Sequence, residues 1–139
     1  MSKVAIVFWS QTGNTETMAN CIAEGAGANA TIIPCSEMNA AKLGEYDVVA
    51  FGCPAMGAEQ LEESEFEPMF SDLEGSLNGK KVAMFGSYGW GDGEWMRSWE
   101  SRCNDDGANL ACDSVICNEA PDDDVQAACR KLGADLAAW

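Results

Sequence analysis

Val4-Ala5-Ile6-Val7-Phe8-Trp9, followed at once by Ser10-Gln11-Thr12-Gly13-Asn14-Thr15, decides how the chain folds. The first stretch is apolar without interruption, as expected of a parallel strand covered on both faces. The second is a hydroxyl- and glycine-rich turn that opens a helical pattern. A helix start offers free backbone N–H groups and a partial positive charge. Ser10, Thr12 and Thr15 add hydroxyl donors, Asn14 adds an amide, and Gly13 allows a close backbone approach. Such a turn suits a phosphate. It holds no lysine or arginine, so it is not the Gly-Lys-Ser/Thr nucleotide loop. Taken alone, a plain capped helix start accounts for it equally well.

Four further apolar stretches read as strands: Ala30–Ile33, Val48–Phe51, Val82–Phe85 and Leu110–Ile116. Helical spacing lies between them. Met18, Ala19, Ile22, Ala23 and Ala26 form one face, with Gly25 and Gly27 placed to end that helix. Segment 59–73 carries Leu61, Phe66, Met69, Phe70 and Leu73 among many acids, with Pro68 as an interruption. Trp95, Trp99 and Cys103 share a helix face and read as core. Val125, Ala128, Cys129, Leu132 and Leu136 define the last helix, its start capped by the Asp122-Asp123-Asp124 run. Strands alternating with helices imply an α/β doubly wound sheet in one domain, residues 1–139.

The formal charge of −15 opposes nucleic-acid binding and favours basic protein partners. The seven scattered cysteines form no C-x-x-C pair and read as reduced, buried, small apolar residues. No histidine is present, which removes the commonest general base and metal ligand; no metal site and no catalytic residue is expected. The apolar runs are too short to span a bilayer, and the N-terminus lacks a basic-then-apolar leader. A cytoplasmic location without membrane attachment is expected.

In such sheets ligands bind beyond the carboxyl ends of the strands. Three loops lie there. After the fourth strand, Ser87-Tyr88-Gly89-Trp90-Gly91-Asp92 sets aromatics among glycines, which suits a stacking platform for a flat ring. After the third, Pro54-Ala55-Met56-Gly57-Ala58-Glu59 supplies a polarizable side chain, a flexible peptide and an acceptor for an imide-like N–H. With the phosphate turn, these loops describe a pocket for a flat heterocycle bearing one phosphate. Flavin mononucleotide (FMN) fits better than a dinucleotide, because no Gly-x-Gly-x-x-Gly follows the first strand.

Ser10–Thr15, Gly52-Cys53-Pro54-Ala55-Met56-Gly57 with Glu59, and Phe85–Gly93 together resemble the flavodoxins, closest to the short-chain clostridial type, essentially end to end. The resemblance implies a flavodoxin-like three-layer sandwich. Its five-stranded parallel sheet would have the order 2-1-3-4-5, for which flavodoxin is itself the reference example. It implies a low-potential one-electron carrier with non-covalent FMN, moving between semiquinone and hydroquinone, without substrate chemistry of its own. Ser10, Gln11, Thr12, Gly13, Asn14, Thr15 and Ser87 would hold the phosphate. Met56 and Trp90 would cover opposite ring faces. Gly89, Trp90 and Gly91 would offer backbone contacts to the N1/O2 edge, and Glu59 would accept from N3–H. The Gly57 carbonyl would meet N5–H after a peptide flip. Ala55, Ala58, Tyr88 and Asp92 complete the expected contacts. Some relatives carry a hydroxyl residue where Pro54 stands, so no phosphate contact is expected there.

The same resemblance implies redox-protein partners with basic docking faces, and a monomer is expected. Glu59, the acids of 62–67 and Asp92 would disfavour a second negative charge on the flavin. Two other readings compete. A quinone-reductase-like flavin enzyme would need a second pocket, and the compact chain offers no obvious one. A receiver-like signalling domain would need acids where Trp9-Ser10 and Gly52-Cys53 stand.

Overall fold

A computed structural model of the chain describes residues 2–11, 13–56, 60–89, 91–110 and 112–139. The elements, in chain order, are β1 (Val4–Phe8), α1 (Asn14–Ala26), β2 (Ala30–Pro34), α2 (Ala40–Leu43), β3 (Val48–Gly52), α3 (Phe66–Leu73), β4 (Lys81–Tyr88), α4 (Glu94–Asp105), β5 (Val115–Asn118) and α5 (Asp123–Ala138). The strands form one parallel sheet in the order β2-β1-β3-β4-β5. This is the expected doubly wound arrangement.

The unbroken apolar runs are explained by burial on two faces. Ala5, Val7, Val49, Phe51, Val82 and Met84 point to the layer built by α3 and α4. Val4, Ile6, Val48, Ala50, Ala83 and Phe85 point to the layer built by α1 and α5. Alternate residues of each central strand therefore feed different cores. Trp95 and Trp99 are fully buried, as their helical spacing predicts. Phe51, Phe66, Phe70 and Trp99 meet mostly edge to face, at centroid separations between 5.2 and 6.4 Å.

Three expectations need correction. The fifth strand runs from Val115 to Asn118 and shares only Val115 and Ile116 with the expected Leu110–Ile116. Its start is displaced because Asn109 makes only an isolated bridge to Lys81 before the polar Asp113-Ser114 step. The helix expected within 59–73 begins only at Phe66. Pro68 lies in its first turn, where a missing N–H removes no intrahelical bond, so it interrupts nothing. Gly25 does not end α1. It lies inside that helix, and a Cβ there would stand 1.8 Å from the Arg130 carbonyl oxygen of α5. Gly27 does follow the last turn, with φ 70°. The aspartate run caps α5 as expected: the Asp122 carboxylate accepts the Val125 N–H at 2.9 Å.

All seven cysteines are free, and six are buried. Burial pushes Cys35 and Cys117 up to about 11, and Cys103 and Cys129 up to about 12. Among the described residues no helix is long and apolar enough to cross a membrane.

The α1–α5 contact depends on two backbones meeting without side chains between them. A Cβ at Gly133 would lie 2.0 Å from the Ile22 carbonyl oxygen. Gly133→Ala is therefore expected to destabilise the fold by about 3 kcal/mol, since neither helix backbone can yield locally. Chemical denaturation checks this; an unchanged midpoint would contradict the close approach.

Candidate functional site

The strand order reverses between β1 and β3, and a cavity of about 160 Å³ lies at the carboxyl end of that junction. Ser10, Gln11, Asn14 and Thr15 form one wall, at the entry to α1. Pro54, Ala55 and Met56 come from the end of β3, and Ser87, Tyr88 and Gly89 from the end of β4. Glu119 closes the remaining side.

The first wall is preorganised by its own chain. The Ser10 hydroxyl oxygen accepts the N–H groups of Gly13 at 3.2 Å and Glu16 at 3.3 Å. Gly13 has φ 93°, a left-handed geometry that costs glycine little, and it contributes no side-chain cap. The Thr17 hydroxyl donates to the Gly13 carbonyl at 2.9 Å. Thr15 is only 1% exposed, and its hydroxyl has no hydrogen-bond partner among the described residues. A buried, unpaired hydroxyl is costly unless a ligand satisfies it. No lysine or arginine lines the cavity. These are neutral donors around an anion-sized space, at a helix N-terminus.

The second and third walls are one hydrogen-bonded unit. The Cys53 N–H donates to the Phe85 carbonyl at 3.2 Å and the Ala55 N–H to the Ser87 carbonyl at 3.0 Å, extending the β3–β4 ladder past the strand end. The Trp95 indole N–H donates to the Cys53 carbonyl at 3.1 Å. Tyr88 leans on Trp95, with centroids 5.5 Å apart. Met56 and Gln60 exchange both backbone hydrogen bonds, at 2.8 and 3.0 Å, as an isolated antiparallel bridge.

Nine expected site residues thus converge on the cavity: Ser10, Gln11, Asn14, Thr15, Ala55, Met56, Ser87, Tyr88 and Gly89. Gly13 shapes the wall from behind. Gly91 and Asp92 are not in the lining, and Asp92 is an exposed partner of Arg97 at 3.0 Å. The expectations for Thr12, Gly57, Ala58, Glu59 and Trp90 fall outside the described residues. Two lining residues were not expected, Pro54 and Glu119. Glu119 follows β5 directly and holds φ 59°, unusual for a side-chain-bearing residue. Its N–H donates to the Tyr88 carbonyl at 2.8 Å. Ending the fifth strand at Asn118 would have exposed it, by the same loop rule that found the other walls.

The acids of 62–67 are not uniformly free charges. Glu67 and Glu74 share Arg102 at 2.7 and 2.6 Å, and the guanidinium holds both carboxyls below their usual range. Glu65 accepts the Trp9 indole N–H at 2.8 Å. Glu62 is buried. The repulsion expected from this segment is therefore carried by fewer unpaired carboxylates than their number implies.

A doubly wound α/β sheet with an anion cradle and an aromatic-flanked loop pair at its switch point defines a nucleotide- or flavin-binding protein of the one-phosphate kind. The comparisons narrow that class. The flavodoxin family model matches residues 6–133. A flavodoxin of Megasphaera elsdenii is 47% identical over 133 residues, covering 94% of this chain and 95% of its own. One of Clostridium beijerinckii is 46% identical over 135 residues, covering 95% and 97%. The solution structure of the two-electron reduced M. elsdenii flavodoxin superposes with a TM-score of 0.89, at 47% identity, covering 98% of this chain and 99% of that one. Oxidised flavodoxin 2 of Bacillus cereus superposes with a TM-score of 0.85, at 29% identity, covering 98% of each chain. The chain belongs to the flavodoxin family. It is an FMN-binding electron-transfer protein and not an enzyme.

The cradle fits the phosphate of that cofactor, because a phosphate oxygen would satisfy the orphaned Thr15 hydroxyl. Thr15→Val is expected to leave the FMN-free protein as stable as before or more so, and to weaken FMN binding about tenfold or more. Fluorescence titration with FMN and thermal melting of the FMN-free form check both halves.

Proposed function

We propose that this chain carries electrons singly at low potential between redox proteins, with FMN seated non-covalently at the β1–β3 junction. The orphaned Thr15 hydroxyl in a cradle without cations carries the reading. Bound FMN supplies the one-electron chemistry. The protein holds the phosphate through Ser10, Gln11, Thr12, Gly13, Asn14, Thr15 and Ser87, all neutral donors. Met56 and Trp90 would cover the ring faces and exclude water. Gly89, Trp90 and Gly91 would present backbone groups to the N1/O2 edge, Glu59 would accept at N3, and Ala55, Ala58 and Tyr88 would complete the surroundings. The Gly57 carbonyl would accept a hydrogen bond from the N5–H of the reduced ring. A flexible glycine lets that carbonyl turn inward at low cost.

A phosphate held without cations keeps its charge uncompensated, so the site resists a second negative charge nearby. Each tenfold difference in stabilisation moves a one-electron potential by about 59 mV. We further infer one domain over 1–139, a monomer and a cytoplasmic location. The partners are redox proteins with basic docking faces.

The test of the site is Gly57→Thr in anaerobic redox titration. A side chain at position 57 hinders the inward carbonyl and destabilises the semiquinone, so the separation between the two one-electron midpoints is expected to fall by at least about 59 mV, a tenfold change. An unchanged separation would remove Gly57 from the account. Docking is tested by ionic strength. The charge of −15 implies that reduction by a basic redox partner slows as salt rises. A rate indifferent to salt would count against an electrostatic docking face.

A further inference from the structure

A second cavity, of about 140 Å³, shares no lining residue with the cofactor cavity. It lies between α4 and the segment that leads from Leu61 into α3. Leu61, Trp95 and Trp99 form its apolar wall, each more than nine-tenths buried. Glu67 of α3 and Arg102 of α4 flank it, and the exposed Ser98 stands at its mouth. A cavity of roughly this size admits one benzene-sized ring when its walls are apolar.

The buried donors of this wall are spent, with one exception. The Trp95 indole N–H donates to the Cys53 carbonyl at 3.1 Å. The Arg102 guanidinium donates through Nε and both Nη atoms to Glu67, Ser71 and Glu74, at 2.6 to 3.2 Å. Trp99 is the exception. It is 2% exposed, and its indole N–H has no acceptor among the described residues. The ring is not free to swing toward one. Phe66 and Phe70 meet it edge to face, with centroids 5.5 and 5.8 Å away. A buried N–H without an acceptor is costly, and a ligand that accepts there recovers that cost.

We propose that this cavity is a binding site for a small, neutral, flat molecule carrying a hydrogen-bond acceptor, and that the acceptor takes the Trp99 indole N–H. The volume and the apolar wall select a single ring. The indole donor selects an acceptor on that ring. Charge excludes ions of either sign. Glu67 and Glu74 share one guanidinium, so the flank of the cavity is negative on balance and repels an anion. A cation cannot accept an N–H.

Pyridine and benzene are the probes, because they match in size and shape and differ by one ring acceptor. The FMN-loaded protein is used, so that the cofactor cavity is filled. In 1H–15N spectra at neutral pH, pyridine is expected to shift the Trp99 indole resonance saturably. It is expected to bind about tenfold more tightly than benzene. Trp99→Phe keeps an aromatic ring and removes the donor. Followed through the Trp95 indole resonance, it is expected to bring pyridine down to the affinity of benzene. Ser98→Trp places bulk at the mouth, at an exposed position, and is expected to abolish the pyridine shift with the thermal midpoint unchanged. An unmoved Trp99 resonance in the unaltered protein means that the cavity takes solvent only, and overturns the proposal. Equal affinity for the two probes overturns the role of the acceptor. Tighter binding of benzoate or tetramethylammonium than of pyridine overturns the neutral class. A full pyridine shift in Ser98→Trp places the probe elsewhere and overturns the site. If Trp99→Phe fails to fold, the ratio of pyridine to benzene affinity in the unaltered protein decides by itself.

Discussion

The pairing of β1 on both of its edges is the constraint on which the rest depends. Val4 sits opposite Ala30 of β2 on one side and Val48 of β3 on the other. The chain leaves β1 in one direction and returns to the sheet on the far side. The connections therefore diverge at the carboxyl end of β1, and no loop crosses the gap between them. The cavity is this gap. Burial of the central strands on both faces fixes their register, and so fixes which residues reach the gap.

Side-chain acceptors cap several helix starts in the same way. Asn39 accepts a first-turn N–H of α2, Glu62 those of α3, and Asp122 one of α5. In each case the chain supplies its own acceptor. At α1 the N-cap is Gly13, which has no side chain to offer; Ser10 takes the Gly13 and Glu16 N–H groups, and the cavity lies against Asn14 and Thr15. The helix that must receive an external phosphate is the one whose N-cap residue leaves room for it. Using N–H groups in place of lysine or arginine leaves the phosphate charge uncompensated, which would make a further negative charge on the cofactor less favourable.

Much of this was legible in the residues. Val4–Phe8, Val48–Phe51 and Val82–Phe85 announce central strands because continuous apolar runs have no other economical use in a small α/β chain. β5 was misplaced because it is an edge strand of mixed character. Ile116 is 37% exposed while Cys117 is buried, so its pattern is weaker than that of Leu110–Ile116 around it. That error hid Glu119. The late start of α3 was equally unreadable, because acid-rich sequence from 59 to 67 looks helical. Only the fold reveals that one of those acids turns inward to cap the helix. The four-residue α2 is too short to show a period. At the site, the hydroxyl turn and the Met-Gly pair were readable by residue type. The distinction between lining residues and those behind or outside the wall required coordinates.

The state of the cysteines has a chemical consequence for a molecule of this kind. Reduced electron carriers meet dioxygen, and the peroxide that forms attacks thiolates far faster than thiols. Here desolvation keeps the thiols protonated, and only Cys112 is even partly accessible. None of the cysteines is among the residues lining the cavity, and their burial leaves little thiolate to react. Core packing thereby also lowers the reactivity of the thiols.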